Sequence, residues 1–335
     1  MKKTKIAFAT SCDLNYLSQA NVLAQSTKQI YPESSFFLGL NESNTNLAPL
    51  IEATAKNIDS VFAGTLLNEN FTELEKRYGV IELCCATKPG LLLKILEKDF
   101  DVVIYLDPDT YLKNPLDEIF QIFEDEKVQA ILTPHLTAPG HLEMEISAMQ
   151  HGIYNLGFLA LRNTLEIDKF LKWWDLRLRT LCIRDSSRGL FTDQTWAGLI
   201  TGFIETRIIR DPGYNFATWN LASHEITKRG NDLLVDGISL KFAHFSGYAA
   251  NGIENFLTKF KLVSKKPFEE LLNEYTRLVK ASDILLKEAS SGKREKVHYK
   301  HSSIRNKTKY LLIRIIKLIS PQLLKHLIGV KRKFF

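Results

Sequence analysis

Cysteine is scarce in this chain: among 335 residues there are four, Cys12, Cys84, Cys85 and Cys182, and none has metal-ligand spacing. That excludes a zinc module and a disulfide framework as the basis of the fold, and adjacent Cys84 and Cys85 cannot easily bridge each other, so reduced thiols in a cytosolic chain are expected. Long apolar runs are lacking too. Behind the basic start Met1-Lys2-Lys3-Thr4-Lys5, the apolar stretch extends only from Ile6 to Ala9 before Thr10, Ser11 and Asp13. This is too short for the apolar region of a signal peptide. Nothing further along reaches the length of a transmembrane helix without a charge. No internal repeat is present. The expectation is a protein of the cytosol or of its membrane face.

What is there is ordinary in bulk and uneven in distribution. Apolar residues make up 45% and charged residues 24%, as in soluble globular proteins, and the length allows one large or two small domains. From Lys293 to Phe335 there are 13 basic residues and one acid, Glu295; the other 292 residues hold 31 basic and 37 acidic ones. A mildly acidic body therefore carries a strongly basic tail, and the two are expected to do different jobs.

The body is organised around Val102-Val103-Ile104-Tyr105-Leu106-Asp107-Pro108-Asp109-Thr110. Five apolar residues, three of them β-branched, read as a central strand buried on both faces. Alternate side chains of an extended chain share a face, so Asp107 and Asp109 point the same way, and Pro108 keeps the residue before it extended. Two close carboxylates repel unless a cation lies between them or one is protonated. The carboxyl edge of an open α/β sheet is also where ligands bind, so a divalent metal holding a phosphate is the first hypothesis and a simple Asp-Pro turn the plain alternative.

Before this strand, Lys5–Thr10, Ser35–Leu40 and Ser60–Phe62 read as strands separated by helices, the doubly wound pattern. After it come a helix over Leu116–Phe123, a strand over Val128–Leu132 and a weakly periodic segment from Pro134 to Met149. A strand over Ile153–Leu161 and an amphipathic helix over Leu165–Leu181 follow. Phe191 to Trp196 opens another helix, with Thr192 as its expected N-cap. Arg207–Ile209 reads as a strand, Asp211–Asn215 as a turn, and Lys241 to Gly247 as a last strand running into a glycine turn.

These segments resemble the GT-A nucleotide-sugar glycosyltransferases, within them the family-8 type that includes glycogenin and bacterial lipooligosaccharide galactosyltransferases. The likeness covers about residues 5 to 250. Tyr105-Leu106-Asp107-Pro108-Asp109-Thr110 resembles the family's DxD motif, Asn155-Leu156-Gly157 its Asn-x-Gly strand, Asp193-Gln194 its Asp-Gln pair, and His244-Phe245-Ser246-Gly247 its late His-Phe-x-Gly. The resemblance implies a Rossmann-like, mostly parallel sheet with helices on both faces, over residues 1–255. It implies Mn²⁺ or Mg²⁺ on Asp107, Asp109 and His244, and a nucleotide lined by Ala7, Ala9, Thr10 and Asp13. Lys88 would meet the nucleotide or its phosphates, and Gly247 would let the backbone approach the diphosphate. Gly157 would lie near the sugar, and the reaction would retain anomeric configuration. The family continues past its late glycine into a Lys-Pro-Trp-type stretch, whereas this chain reads Tyr248-Ala249-Ala250-Asn251.

Asp193-Gln194, beside the anomeric carbon, would stabilise oxocarbenium character or steer the acceptor, against the plain reading of a helix's first turn. Asn155 inside an apolar run needs a partner, and a donor hydroxyl is the expected one. Asp211–Asn215 and Trp219-Asn220 are assigned to the acceptor side. The other seven histidines carry no comparable context. A UDP-sugar donor, a glycan or lipid-linked acceptor and a role in bacterial surface polysaccharide or lipopolysaccharide synthesis are the expectations. Rivals are a haloacid-dehalogenase-type phosphatase using Asp107 and Asp109, a sugar nucleotidyltransferase, and an inactive membrane-bound scaffold. The second needs a glycine-rich loop where Thr10-Ser11-Cys12-Asp13 stands.

Beyond a helical extension over 256–292, the tail 293–335 pairs basic residues with aliphatic ones. Lys309 to Ile319 is helical by pattern, with Lys307, Arg314 and Lys317 clustered on one side; Pro321 breaks it before Leu323–Ile328 continues in kind. That is the pattern of an interfacial helix on an anionic membrane, and it predicts a peripheral protein on the inner face of the cell membrane. Nucleic acid is not expected as a partner, since the charges alternate with aliphatic rather than stacking side chains.

Overall fold

The computed structural model describes residues 4–44, 46–139, 142–248, 253, 257–258 and 266–289. Along it come strands β1 (Ile6–Cys12), β2 (Ser35–Leu40), β3 (Ser60–Ala63), β4 (Val102–Leu106), β5 (Thr110–Leu112), β6 (Ala130–Pro134) and β7 (Tyr154–Arg162). The two-residue β8 (Arg184–Asp185) and β9 (Leu190–Phe191) pair as a hairpin, followed by β10 (Thr206–Ile208) and β11 (Phe216–Ala217). β12 (Ile226–Arg229), β13 (Asp232–Val235) and β14 (Ile238–Ser239) form a small antiparallel sheet, and β15 (Phe242–His244) closes the series.

Seven strands make one open sheet in the order β10-β6-β7-β4-β1-β2-β3. Only β7 in this sheet runs antiparallel to its neighbours, β4 and β6; the remaining pairs are parallel. The continuous apolar runs of β1 and β4 follow from cover on both faces. Phe8 and Ile104 point into one cluster with Leu23 and Ala24 of the helix Leu17–Ile30. Ala7, Ala9, Val103 and Tyr105 point into the other, against Leu91 and Ile95 of the helix Lys88–Leu96 and Trp174 of the helix Leu165–Leu181. Burying each large apolar side chain stabilises by about 1.5–3 kcal/mol, so a charge inserted into β4 would be severe.

The helix Leu165–Leu181 starts where its sequence says. Thr164 caps it by accepting from the Ile167 amide, Glu166 and Asp168 stand in the first turn, and Arg179 stands in the last. The other helix start is not as its sequence suggests. Thr192 is not the N-cap: the helix Gln194–Ala197 is preceded by Asp193, and Thr192 has a φ of 47°, turning its hydroxyl to donate to Asp193 Oδ1 at 3.0 Å. The helix Lys266–Ala289 packs on the helix Leu17–Ile30, where Asn21 Nδ2 donates to Ser282 Oγ at 2.9 Å. Its Phe268, Leu271 and Tyr275 complete a third apolar cluster around Phe216, Ala243 and Phe245. The tail 293–335, with its expected interfacial helix, lies outside the described residues. Among the described residues no helix is long and apolar enough to cross a membrane.

Candidate active site

The acid pair is delivered by a short device. β4 ends at Leu106, the Asp107 carbonyl accepts from Thr110 N at 3.0 Å and from Thr110 Oγ1 at 2.6 Å, and the chain re-enters extended geometry as β5. β15 pairs antiparallel with β5, with His244 opposite Thr110, and Phe245 N donates to the Asp109 carbonyl at 2.8 Å. A strand about 130 residues further on is thereby locked against the Asp-Pro-Asp turn. His244 Nε2 lies 3.1 Å from Asp109 Oδ1 and 3.8 Å from Asp107 Oδ2. One ligand atom from each of Asp107, Asp109 and His244 falls within 4.8 Å of the others.

Gly157 makes room for this. A Cβ there would stand 2.3 Å from His244 Cε1 and 2.4 Å from Nδ1, so the imidazole packs directly on the β7 backbone. His244 is 4% exposed and Asp109 7%. Burial alone would disfavour charge on the imidazole, but Asp109 and then Asp107 outweigh it and raise its pKa above the ordinary histidine value. The arrangement suits a cation. Octahedral Mg²⁺ or Mn²⁺ with ligands near 2.1 Å places adjacent ligand atoms about 3 Å apart, close to the 3.1 Å seen between His244 and Asp109.

Behind the triad lies a second charged corner. Lys88, from the helix Lys88–Leu96, puts Nζ 3.2 Å from Asp107 Oδ1 and 2.9 Å from Asp193 Oδ2, and 4.7 Å from the centre of the Tyr105 ring. Burial opposes its charge, yet Asp107 and Asp193 hold its pKa well above the ordinary lysine value. Lys88, expected to meet the nucleotide or its phosphates, stands between these two carboxylates. The Tyr105 hydroxyl donates to Asp107 Oδ1 at 3.0 Å. Asp193 is 2% exposed, and Trp174 Nε1 fixes its backbone carbonyl at 3.2 Å.

Several expected ligand contacts turn out to be occupied by the protein. Gln194 Oε1 accepts from Leu156 N at 2.9 Å and its Nε2 donates to the His151 carbonyl at 2.8 Å, so the amide clamps the start of β7 to the segment before it. Asn155 Oδ1 accepts from Gly157 N and from Asn215 Nδ2, both at 2.9 Å, and its Nδ2 faces His135 Nε2 at 3.0 Å. The partner expected in a donor hydroxyl is thus supplied internally. Ala7 and Ala9, expected along the nucleotide, are 0% and 1% exposed in the apolar cluster under the helix Lys88–Leu96. The residues at the carboxyl end of β1 are Thr10, whose hydroxyl is buried without a partner, and beyond it Asp13, whose carboxyl burial pushes up in pKa. Gly247 has a φ of 78°, the left-handed turn that glycine permits.

His135 and Tyr16 escaped the sequence reading, and Asn215 and Trp219, expected on the acceptor side, stand against His244. His135, Asn215 and Trp219 surround His244: Asn215 Oδ1 lies 3.0 Å from His244 Nδ1, and Trp219 stands edge-on to the rings of His244 and His135 at 5.1 and 5.5 Å. His135 has context after all, packed against the site with its pKa lowered to about 4, chiefly by burial. Tyr16, after β1, is the second missed residue. Burial, followed by the charges of Asp109, Asp13 and Asp107, pushes its phenol up to about 12, which marks it as the neighbour of the acidic cleft. Residue type flagged neither His135 nor Tyr16, because each acquires its role from a segment distant in sequence.

No family model matches the chain. It is 28% identical over 248 residues to YfnF of Bacillus subtilis (strain 168), an uncharacterized protein, covering 72% of this chain and 81% of that one. To YfnD of the same organism it is 25% identical, covering 50% of this chain and 54% of the relative. Among solved structures, the chain is similar to the galactosyltransferase LgtC in complex with donor and acceptor sugar analogs, at 16% identity and a TM-score of 0.44 over 78% of this chain and 98% of that one. Mouse xyloside xylosyltransferase 1 gives 11% identity and a TM-score of 0.44 over 73% and 99%. At these scores the superpositions decide nothing about the site, and the functional reading rests on side-chain geometry.

Proposed function

We propose that the protein is a metal-dependent GT-A glycosyltransferase. It would move a hexose, with retention, from a nucleotide-diphosphate sugar to a glycan or lipid-linked acceptor. The observation that carries this reading is the convergence of Asp107, Asp109 and His244 at the carboxyl edge of the sheet, with ligand atoms within 4.8 Å. Hard carboxylates suit Mg²⁺ or Mn²⁺, and the imidazole favours Mn²⁺. When bound, the ion would offset the charge that develops on the departing diphosphate. Thr10 and Asp13, at the end of β1 and just beyond it, would line the nucleotide. The Lys88–Asp193 pair closes the side of the donor sugar, with a buried carboxylate available to oxocarbenium character. The Gly247 turn offers backbone to the diphosphate.

The position of the acid pair also favours this over the phosphatase, whose motif ends the first strand of its domain; here it ends the fourth. A UDP-sugar, a role in bacterial surface polysaccharide or lipopolysaccharide synthesis, and attachment of the tail 293–335 to an anionic membrane belong to the same proposal. The tail rests on its run of 13 basic residues among aliphatic ones. Thermal stability measured against a panel of UDP-, GDP- and other nucleotide sugars, with and without Mn²⁺, tests the activity. Metal-dependent stabilisation by one of them is expected. Stabilisation by phosphate esters alone would point to the phosphatase, and no response to any would leave the scaffold.

A further inference from the structure

We infer that Asn215 is a positioning residue that holds His244 in the tautomer with its proton on Nδ1, turning the Nε2 lone pair towards Asp109 and Asp107. The inference rests on the metal-site reading above and deepens it. Its basis is a hydrogen-bonded relay whose ends are backbone groups of fixed polarity. The Gly157 N–H can only donate, so the Asn155 atom 2.9 Å from it is the amide oxygen. Asn215 meets that same oxygen at 2.9 Å, and only its NH₂ can do so favourably; this NH₂ also has the Thr133 hydroxyl at 3.0 Å. What Asn215 then presents to His244 is its oxygen, 3.0 Å from Nδ1, and an oxygen there requires a proton on that nitrogen.

The relay closes consistently in the other direction. With its oxygen so committed, Asn155 turns its NH₂ to His135 Nε2 at 3.0 Å, which must accept. The His135 proton is therefore on Nδ1, where it donates to the Gly152 carbonyl at 2.7 Å. No member can be reversed without setting two acceptors or two donors against each other in a buried place. With Nδ1 committed to Asn215, the atom that His244 turns to Asp109 Oδ1, 3.1 Å away, is Nε2, whose lone pair is taken by a proton or offered to a metal ion. Two acceptors at that distance repel until a cation lies between them. Asn215 thus decides that the third ligand is offered to a cation.

The surroundings hold the pair in this arrangement. Asn215 is 1% exposed and adopts a φ of 53°, a left-handed conformation that asparagine tolerates better than most residues. Trp219 and the bare Gly157 backbone confine the ring of His244 from two sides.

A long-range ¹⁵N–¹H spectrum of the full-length protein labelled at histidine, with and without Mg²⁺, reports which nitrogen of His244 carries the proton. A proton on Nδ1 in both states is expected, and an Nδ1 without one overturns the inference with no mutation needed. Mn²⁺ affinity, followed by electron paramagnetic resonance in the absence of any sugar donor, gives the second readout. Asn215→Gly suits the backbone and removes the amide; it should weaken Mn²⁺ binding roughly 10- to 100-fold. A glycine variant that binds as tightly as the unaltered protein overturns the assignment. Failure of the unaltered protein to bind Mn²⁺ at all would instead remove the metal-site reading.

Discussion

Around the end of β4, Asp107, Asp109 and His244 bring acceptor atoms together and leave them facing one another, with a proton or a cation needed to reconcile them. Joined to it by Lys88, whose Nζ lies 3.2 Å from Asp107 and 2.9 Å from Asp193, the Asp193-Gln194 corner does the opposite: its carboxylate lies against a counter-charge and each amide atom has a backbone partner. Both corners are built from motif residues and both are buried. The first is left electrostatically incomplete, as a binding site must be. The second is complete in itself and supplies the rigid wall against which the first is held. Burial of polar groups therefore separates ligand-binding from framework residues only when the partners are counted.

The comparison breaks first at Asp109. Asp109→Asn removes one of the two carboxylates that balance a cation and leaves Lys88, Asp193 and Gln194 untouched. We expect transfer from the nucleotide sugar to fall roughly 10²- to 10³-fold, the scale of losing one preorganised electrostatic contact. Mn²⁺-dependent donor binding by calorimetry should fall with it, while the melting temperature without metal holds or rises. The second corner answers in the other way. Lys88→Met leaves the buried Asp193 and the half-buried Asp107 without their shared cation, and breaking a buried pair costs about 3–5 kcal/mol of stability. Urea unfolding checks this. A Lys88→Met protein as stable as the parent would mean that the corner is not the closed framework described above.

How much of this the sequence shows depends on the range of the interaction. The shared direction of Asp107 and Asp109 follows from strand alternation and Pro108, both local, and the sheet with its covered faces follows from apolar runs of the right length. The approach of His244 is set by the pairing of β15 with β5, and nothing near residue 244 announces that register. Asn155 inside an apolar strand signals an unmet need correctly, but beside the local Gly157 N–H its partners are His135 and Asn215, from two other segments that only the fold brings together. Ala7 and Ala9 sit on a strand whose alternation gives two faces without saying which is covered by the helix Lys88–Leu96. Thr192 misleads because a cap-forming residue type carries no information about a left-handed φ, which β-branched residues rarely adopt.

The relay gives a third, smaller effect, on pH. His135 has a folded pKa of about 4 against an ordinary value of 6.5, because burial and the need of Nε2 to accept both favour the neutral ring. The unfolded chain binds the proton first as pH falls, so stability attributable to this residue is intact above pH 6.5. It is lost between pH 6.5 and 4, by about 3 kcal/mol in all. Urea midpoints from pH 7 to 4 should show this fall, and His135→Gln should flatten it. An unchanged slope in that variant would move the proton uptake elsewhere.

Gln194→Ala draws the finest line between the two corners. If the amide is a clamp, its loss leaves the Leu156 N–H and the His151 carbonyl without their partner. Leaving such groups unsatisfied costs roughly 1–3 kcal/mol. The melting temperature should drop accordingly, and turnover per folded molecule should fall far less than in Asp109→Asn. If the amide instead acts on the sugar, stability would barely change while turnover collapsed, because a group that touches only the reacting atoms contributes little to the free protein. Measuring both quantities on the one variant separates the two.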